Sequence, residues 1–359
     1  MPVLIDNAAV SALLSPADFV NTVAQAYEAF ALGQGVCAPR LDLQATPRGQ
    51  ETYQLGMVAG IAGRYACLRV KSDVTYLRDV AGVARKEKYA VSPGTYCGLL
   101  LLLSVETGAP LALIHDGILQ QMRVGADSAI GARLMARPGS QVLGILGSGG
   151  MALSHLLTIC ATSDIAQVVI YSPTRANAAR FVKHARDLGY GAELASDAAE
   201  VAARADILCA CTNAITPVVY GADLRPGTHI MAIGGSLDTA ASAKVDRWLR
   251  LGLATPAPEW GGHPIEDECL TFSAQGTKAS SGGARHFASI PIDRRILLAD
   301  LMRNPTLGRQ SPNDITFSDR GNIHGLQFAA AAGYIYEQAC AAGMGRQMAL
   351  EDFTQDIRN

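Results

Sequence analysis

The chain has 359 residues, of which 49% are apolar and 17% are charged, and its formal net charge is -2. This length predicts about two domains with sizeable cores, and the scattered basic residues disfavour binding to nucleic acid or to a membrane surface. The first residues lack a basic stretch followed by a long apolar run, so we expect a cytoplasmic protein without a signal peptide. The 8 cysteines show no metal-ligand spacing, so we expect no metal site.

The N-terminal third predicts one helix followed by a β-rich segment. Ser15-Pro16 is typical of a helix start, and an apolar stripe from Phe19 to Phe30 follows it. Residues 37–115 contain short apolar runs separated by Gly, Pro and charged turns, which predicts strands. A helical pattern then covers Leu119 to Met135.

Alternating strand and helix patterns follow. Strands are predicted at 141–146, 167–171, 206–211, 228–233 and 248–253. This alternation predicts an α/β fold with a Rossmann-type, doubly wound parallel sheet. Residues 255–290 are rich in Gly, Pro, Ser and charge and are interpreted as an irregular excursion. A last helix is predicted from about Leu326 to Ala342.

These patterns predict two domains. A β-rich α+β domain is expected from residues 1–129 together with 321–359, because the C-terminal helix is expected to return to the first part of the chain. A dinucleotide-binding domain is expected from residues 130–320, with the excursion at 255–290 inside it.

The strongest functional motif lies between a predicted strand and a predicted helix. It is the G-x-G-x-x-A form of a dinucleotide-binding turn, formed by Gly147, Ser148, Gly149, Gly150, Met151 and Ala152. Gly147 permits the tight turn and Gly149 leaves space for a pyrophosphate. The N-terminus of the helix that follows offers free N–H groups to the phosphates.

The end of the next predicted strand favours NADP over NAD. A NAD site normally has an acidic residue there, which binds the ribose hydroxyls. This chain has Ser172, Thr174 and Arg175 instead, and Arg suits a phosphate dianion. We therefore predict NADP, with NAD possible. The alternative interpretation is that Thr174 caps the next helix and that Arg175 is solvated.

Several stretches have an order and spacing that are specific when taken together. They are Arg69-Val-Lys71, Glu106–Ala112, Gln121-Met-Arg123, Gly147-Ser-Gly149, Cys211-Thr212, Ala232-Ile-Gly234 and Tyr336–Gly345. In these stretches the chain resembles the ornithine cyclodeaminase/mu-crystallin family. The resemblance implies a Rossmann domain, a β-rich domain for substrate binding and dimerisation, and hence a homodimer. It adds Thr212 and Gly234 to the expected cofactor-binding residues.

The resemblance also implies which residues bind substrate. Family members form or reduce imines, and Arg40, Lys71 and Arg123 match positions that clamp an α-carboxylate. Lys71 could also exchange a proton with the imine nitrogen. His324 starts the helix that the resemblance places near the active site. The alternative interpretation of each cation is an ordinary surface or interdomain ion pair.

The chain departs from the family's cyclodeaminases at one position that matters for function. Ser236 stands where their aspartate is expected, and Asp238, two residues later, would have to replace it. Met151 stands where many members have a glutamine. Residues that select the substrate are expected within 40–57, 72–90 and 318–325.

These observations favour an NAD(P)H-dependent reductase of an imine or ketimine with an α-carboxylate, which in reverse is an amino-acid dehydrogenase. Lys71 and Arg123 are the expected catalytic residues, and the partner is a small substrate derived from an amino acid. One alternative is a cyclodeaminase of the ornithine or lysine type with recycled NAD, which requires Asp238. The other is an NADPH-dependent ligand-binding protein of the mu-crystallin type.

Overall fold

The structure is a computed structural model that describes residues 1–46, 51–80, 83–214, 216–234, 236–253, 268–273, 276–281 and 289–357. Its strands are β1 (Val3–Ile5), β2 (Val36–Cys37), β3 (Arg40–Ala45), β4 (Thr52–Ala62), β5 (Tyr65–Val80), β6 (Val83–Ala90), β7 (Ser92–Pro93), β8 (Cys97–Ser104), β9 (Pro110–His115), β10 (Val142–Leu146), β11 (Gln167–Tyr171), β12 (Ala192–Leu194), β13 (Ile207–Cys211), β14 (Pro217–Val219), β15 (His229–Gly234), β16 (Ser236–Leu237), β17 (Arg247–Arg250), β18 (Glu268–Ser273), β19 (Gly276–Ser281), β20 (Arg295–Leu297), β21 (Thr316–Asp319) and β22 (Arg346–Gln347). Its α-helices are α1 (Asn7–Leu13), α2 (Pro16–Ala31), α3 (Gly117–Met135), α4 (Gly150–Cys160), α5 (Arg175–Asp187), α6 (Ala198–Arg204), α7 (Thr239–Lys244), α8 (Leu298–Arg303) and α9 (His324–Ala342). Short 3-10 turns cover Ile292–Arg294, Pro305–Leu307 and Leu350–Asp352.

The chain divides into two compact units. The first comprises Met1–Arg123, Ala254–Gly282 and Asn322–Asn359, and the second comprises Val124–Leu253 and Gly283–Gly321. The division after Arg123 and the predicted boundary near residue 130 both fall within α3.

The first unit is built on a mixed sheet with the strand order β19-β18-β3-β4-β5-β8-β9-β1-β22. Strands β3, β4, β5, β8 and β9 pair antiparallel in that order. The long strand β5 pairs with β8 through Tyr65–Ser72 and with β6 through Val74–Val80. One edge of β5 is therefore shared between two partners, which brings β6 beside the end of β8.

Helix α9 packs on β4 and β5 of this sheet, and α2 packs on α9. Glycines permit the close approach, because a Cβ at Gly325 would lie 1.9 Å from the backbone oxygen of Ala59. A Cβ at Gly60 would lie 2.3 Å from the backbone of Gly325. The core of the unit consists of buried apolar side chains from these helices and strands, among them Phe19, Tyr27, Leu100, Leu102, Phe328 and Ile335.

The second unit contains a parallel sheet with the strand order β12-β11-β10-β13-β15-β21-β17-β20. Each pairing described in it is parallel. The strand order reverses between β10 and β13, because the chain runs outward through β11 and β12 before it returns to β13. In such sheets ligands bind outside the carboxyl ends of the strands at the reversal. The predicted Rossmann-type α/β fold is confirmed.

Strands β10 and β13 of this sheet are apolar along their whole length, as expected for strands covered on both faces. All residues of β13 are buried, including Cys209 and Cys211, so both thiols belong to the core rather than to a reactive pair. Within the described ranges, no group of three or more His, Cys, Asp or Glu side chains is arranged to hold a metal ion.

The prediction of an irregular excursion in the dinucleotide-binding domain is wrong for two segments of 255–290. Strands β18 and β19 form an antiparallel hairpin, and β18 pairs parallel with β3 in the first unit. Gly, Pro and Ser in the flanking sequence hide these short strands, and their partner lies far away along the chain. Residues 255–267, 274–275 and 282–288 lie outside the described residues.

In the part of the chain that the structure describes, every helix falls short of the length or the hydropathy that crossing a membrane requires.

Candidate active site

Neighbouring strands of the first unit place charged side chains in a row on one face of the sheet. Gly56 of β4 lies opposite both Asp42 of β3 and Lys71 of β5, and Lys71 also lies opposite Gly98 of β8. Residues that face each other in antiparallel strands project to the same side. Because side chains alternate along a strand, residues two positions away share this face. They include Arg40, Gln54, Arg69 and Asp73.

Lys71 lies at the centre of this row. Its side chain is 12% exposed and forms an ion pair with Asp73, whose side chain is 1% exposed. On the β4 side, the Nε of Arg40 donates to Asp42 over a distance of 2.8 Å. Gly56 leaves room for this pair, since a Cβ there would lie 3.0 Å from Oδ1 of Asp42. The structure therefore brings two of the predicted substrate-binding cations, Arg40 and Lys71, into one polar row.

Burial lowers the pKa of the Lys71 ammonium below its ordinary value, because the charged form loses water. The hydrogen bond to Asp73 opposes this effect, and the positive charges of Lys88 and Arg40 add to it. A lysine with a lowered pKa exchanges its proton more readily than an exposed lysine does. This is the property that the predicted role of Lys71 requires.

A second ion pair lies on the β8 side of Lys71, and sequence reasoning missed it. Arg69 donates from Nε to Oδ2 of Asp116 at 2.7 Å and from Nη2 to the Tyr96 hydroxyl at 2.8 Å. That hydroxyl in turn donates to Oδ2 of Asp116 at 2.7 Å. Burial alone would lower the pKa of Arg69, but the Asp116 carboxylate and the Tyr96 hydroxyl together outweigh this effect and raise it. The Arg-x-Lys spacing was the available signal, because it places Arg69 and Lys71 on one face.

Arg123, the third predicted substrate-binding cation, is a buried residue of α3 in the same unit. Its Nη1 donates to Oε1 of Gln327 at 2.9 Å, and the Gln327 amide donates to the Arg123 carbonyl at 2.6 Å. The guanidinium carbons of Arg69 and Arg123 each lie 4.8 Å from the centroid of the Phe328 ring. One aromatic ring of α9 thus links Arg123 to the charged row on the sheet.

His324 is the first residue of α9 and is half-buried. The next residue, Gly325, rests on the backbone of Ala59 in β4. This fixes the start of the helix against the strand that carries Gly56. Substrate contact by His324 stays a prediction.

In the second unit, the residues of the predicted dinucleotide turn fit that role. Gly147 has a φ of +129°, and a Cβ there would lie 2.2 Å from the carbonyl oxygen of Cys211, so the turn requires glycine. Gly149 precedes α4 without a side-chain cap, and the space where its Cβ would lie is open to 4 Å. Uncapped N–H groups of α4 beside open space suit a pyrophosphate. Ala152 is fully buried in the same helix.

The other predicted cofactor-binding residues lie at the carboxyl ends of the adjoining strands. Ser148, Gly150 and Met151 belong to the turn and to the first turn of α4, Thr212 follows β13, and Gly234 ends β15. Ser172 follows β11 and is half-buried, whereas Thr174 and Arg175 are exposed at the start of α5. Thr174 is the N-cap residue of α5 but makes no side-chain cap hydrogen bond, and the exposure of Arg175 is also what the alternative interpretation expects.

Asp238 has a structural task in the second unit. It is the N-cap of α7, where its Oδ1 accepts hydrogen bonds from the N–H of Ala241 at 2.6 Å and of Gly221 at 3.0 Å. A carboxylate engaged in this way is a poor substitute for the missing cyclodeaminase aspartate. The geometry therefore gives no support to the predicted catalytic role of Asp238.

Comparison with known proteins agrees with this arrangement. A Δ1-pyrroline-2-carboxylate reductase of Bacillus thuringiensis is 32% identical over 73% of this chain and 77% of its own. The fold matches that of the Thermococcus litoralis Δ1-pyrroline-2-carboxylate reductase solved with NADH and L-proline, with a TM-score of 0.71, 22% identity, and coverage of 96% of this chain and 100% of that one. It also matches an archaeal alanine dehydrogenase dimer with bound NAD, with a TM-score of 0.74, 23% identity, and coverage of 97% and 99%. The model of the ornithine cyclodeaminase/mu-crystallin family matches residues 6–343. The chain therefore belongs to the ornithine cyclodeaminase/mu-crystallin family.

Proposed function

We propose that the protein is an NAD(P)H-dependent reductase of an imine or ketimine that carries an α-carboxylate, and in reverse an amino-acid dehydrogenase. The observation that carries this proposal is the largely buried Lys71 ammonium, which has a lowered pKa and lies between the Arg40–Asp42 and Arg69–Asp116 pairs. Such a group is suited to exchanging a proton with an imine nitrogen beside a bound carboxylate. Relatives that act on a cyclic imine with a carboxylate support the same chemistry.

The dinucleotide turn of the second unit supports the choice of cofactor. When bound, the reduced nicotinamide supplies the hydride. Gly147, Gly149 and the N-terminus of α4 would hold the pyrophosphate. Arg175 and Ser172, which stand where a NAD-specific acid would be, favour NADP.

The residues of the first unit would bind and orient the substrate. Arg123 and Arg40 would hold the α-carboxylate, because a guanidinium can donate two parallel hydrogen bonds to it. Lys71 would give a proton to the imine nitrogen during reduction and take it back in the reverse reaction. Asp73 would stabilise the Lys71 ammonium once it is protonated again. Most of the rate gain would come from this orientation and from charge placed near the C=N bond.

The proposal also covers the oligomeric state and the cellular location of the protein. The dimer formed by the structurally similar archaeal alanine dehydrogenase favours a homodimer. The cytoplasmic location stays a prediction of the sequence.

The test is consumption of the reduced cofactor, measured with NADPH and NADH in parallel. The substrates are cyclic ketimines and mixtures of 2-oxo acids with ammonia or methylamine. We expect substrate-dependent oxidation that is faster with NADPH. In Lys71→Met, turnover should fall by roughly 100-fold or more while cofactor affinity is kept. Lys183→Met, which changes an exposed lysine of α5, is the matched control.

Two outcomes would contradict the proposal. Release of ammonia from ornithine or lysine with only catalytic amounts of cofactor would identify a cyclodeaminase. Tight NADPH binding without oxidation by any imine would point to a ligand-binding protein.

A further inference from the structure

Lys88 belongs to the same face of the sheet as Lys71, although it lies on a different strand. It lies opposite Thr75 across the β5–β6 pairing. Thr75, Asp73 and Lys71 alternate along β5 and therefore project to one side. Lys88 is exposed, so its ammonium is accessible to a ligand.

Contacts hold the Lys88 side chain toward the charged row. Its Nζ lies 5.4 Å from the centroid of the Tyr96 ring, in a cation–π contact. The hydroxyl of that ring is bonded to Arg69 and Asp116, and it lies 2.7 Å from where a Cβ at Gly98 would be. Gly98 is the residue opposite Lys71. Lys88 thus lies at the rim of the row that Lys71 occupies, and its charge is close enough to lower the pKa of Lys71.

Three carboxylates of described residues lie around Lys71, and each of them is paired with a cation other than Lys88. Each of the three carboxylates already has a cation on the same face: Asp42 with Arg40, Asp73 with Lys71, and Asp116 with Arg69. Among the described residues, Lys88 has no carboxylate partner. Lys88 is therefore a cation at the accessible rim whose charge no described carboxylate neutralises.

We propose that Lys88 binds a second acidic group of the substrate, so that the enzyme prefers dicarboxylic imino acids to monocarboxylic ones. This inference rests on the proposed reductase function. Arg40 and Arg123 hold the carboxylate next to the carbon that is reduced, and Lys71 lies at the imine nitrogen. Lys88 binds the carboxylate at the other end of the molecule. A charge-assisted hydrogen bond at a partly exposed site of this kind is worth roughly a tenfold preference.

The experiment compares a matched pair of substrates. Pyruvate with ammonia gives a monocarboxylic imine, and oxaloacetate with ammonia gives the corresponding dicarboxylic imine. We expect the wild type to reduce the dicarboxylic imine with the higher kcat/KM. Lys88→Gln should lower the ratio of kcat/KM for the dicarboxylic imine to that for the monocarboxylic imine by roughly tenfold. Lys88→Arg should keep the preference, and Lys183→Gln should behave as the wild type.

A second measurement separates this inference from the proposed function. Calorimetric titration of the NADP-loaded protein with succinate and with propanoate reports on the second anion site without turnover. Succinate binding that Lys88→Gln weakens supports the site even if neither imine is reduced, in which case only the reductase proposal fails. If both imines are reduced equally well, or if Lys88→Gln slows both to the same extent, the inference is overturned and the reductase proposal stands. If neither imine is reduced and both acids bind alike, both proposals are overturned.

Discussion

Lys71 and Gly98 lie opposite each other on β5 and β8, and the Asp116 carboxylate fills the space that a side chain at Gly98 would need. A Cβ at Gly98 would lie 2.6 Å from Oδ2 of Asp116 and 2.7 Å from the Tyr96 hydroxyl. The missing side chain therefore lets the Arg69–Asp116 pair lie beside Lys71. Gly56 likewise leaves room for the Arg40–Asp42 pair on the β4 side of Lys71, where a Cβ at Gly56 would lie 3.0 Å from Oδ1 of Asp42.

Gly98→Ala should therefore impair the site more than Gly56→Ala does. At Gly98 the added methyl would lie 2.6 Å from Oδ2 of Asp116 and must displace it, whereas at Gly56 the nearest atom, Oδ1 of Asp42, lies 3.0 Å away and small shifts of Asp42 and Arg40 suffice. We expect kcat/KM for imine reduction to fall by roughly 100-fold in Gly98→Ala and by roughly tenfold in Gly56→Ala, because misplaced groups cost orientation. NADPH affinity, measured by fluorescence titration, should stay at the wild-type value in both. Equal activities of Gly98→Ala and the wild type would show that the Arg69–Asp116 pair has no role in the reaction.

The ion pair with Asp73 should control the alkaline limit of imine reduction. Burial lowers the pKa of Lys71, and Asp73 opposes this effect. Removing the negative charge in Asp73→Asn therefore lowers the pKa of Lys71 further. Reduction that needs protonated Lys71 should then decline at a lower pH than in the wild type. The measurement is the pH profile of kcat/KM with one imine for both proteins.

Asp187→Asn provides the control for that profile, because it removes the partner of Lys183 in an exposed ion pair of α5. Its alkaline limit should coincide with that of the wild type. An Asp73→Asn profile that keeps the wild-type limit, or moves to higher pH, would refute a protonated Lys71 as the proton donor.

Features set by neighbouring residues could be predicted from the sequence. The apolar runs of β10, β11 and β13 and the glycine turn at Gly147 are local patterns, since period, strand length and backbone freedom depend on adjacent residues. The start of α2 at Pro16 likewise follows a local signal. Helix α3 begins at Gly117, slightly before the predicted Leu119. The cations Arg40, Lys71 and Arg123 came from the family resemblance, and the structure places all three in one unit.

Features set by pairing between distant segments could not be predicted. The Arg69–Asp116–Tyr96 cluster depends on the register of β5 with β8 and on the loop that carries Asp116, and no local pattern gives that register. The hairpin of β18 and β19 was missed for the same reason, since its partner β3 is remote in sequence. Asp238 could be identified as an acid near the expected position, but only its bonds to Ala241 and Gly221 show that it caps a helix.

Arg175 should determine the preference for NADPH. It is the first residue of α5, the helix that follows β11, and its side chain is exposed. If it binds the 2′-phosphate, Arg175→Ala should raise the KM for NADPH by roughly tenfold or more and leave that for NADH unchanged. Arg180→Ala, at another exposed position of α5, is the matched control, because Arg180 bonds only Asn177 among the contacts described. Equal effects of Arg175→Ala on both cofactors would rule out phosphate recognition by this residue.

Two buried histidines should make the second unit sensitive to acid. His155 contacts Ser128 at 2.8 Å and the Met151 carbonyl at 2.6 Å, and His229 contacts Thr316 at 2.9 Å. Burial lowers the pKa of His155 from 6.5 to about 4 and that of His229 from 6.5 to about 3. Well above pH 6.5 both groups are neutral whether the chain is folded or unfolded, so neither makes stability depend on pH there.

As the pH falls below 6.5, the unfolded chain binds protons that the folded chain excludes, so the free energy of unfolding should decrease. For His155 the loss should approach about 3 kcal/mol near its folded-state pKa. Urea unfolding at a series of pH values measures it, and His155→Gln should show a shallower decline even if its stability at neutral pH is lower. His184→Gln, which changes an exposed histidine of α5, should keep the wild-type slope. A His155→Gln slope identical to that of the wild type would mean that His155 takes up its proton without unfolding, and that its contacts with Ser128 and Met151 do not keep it neutral.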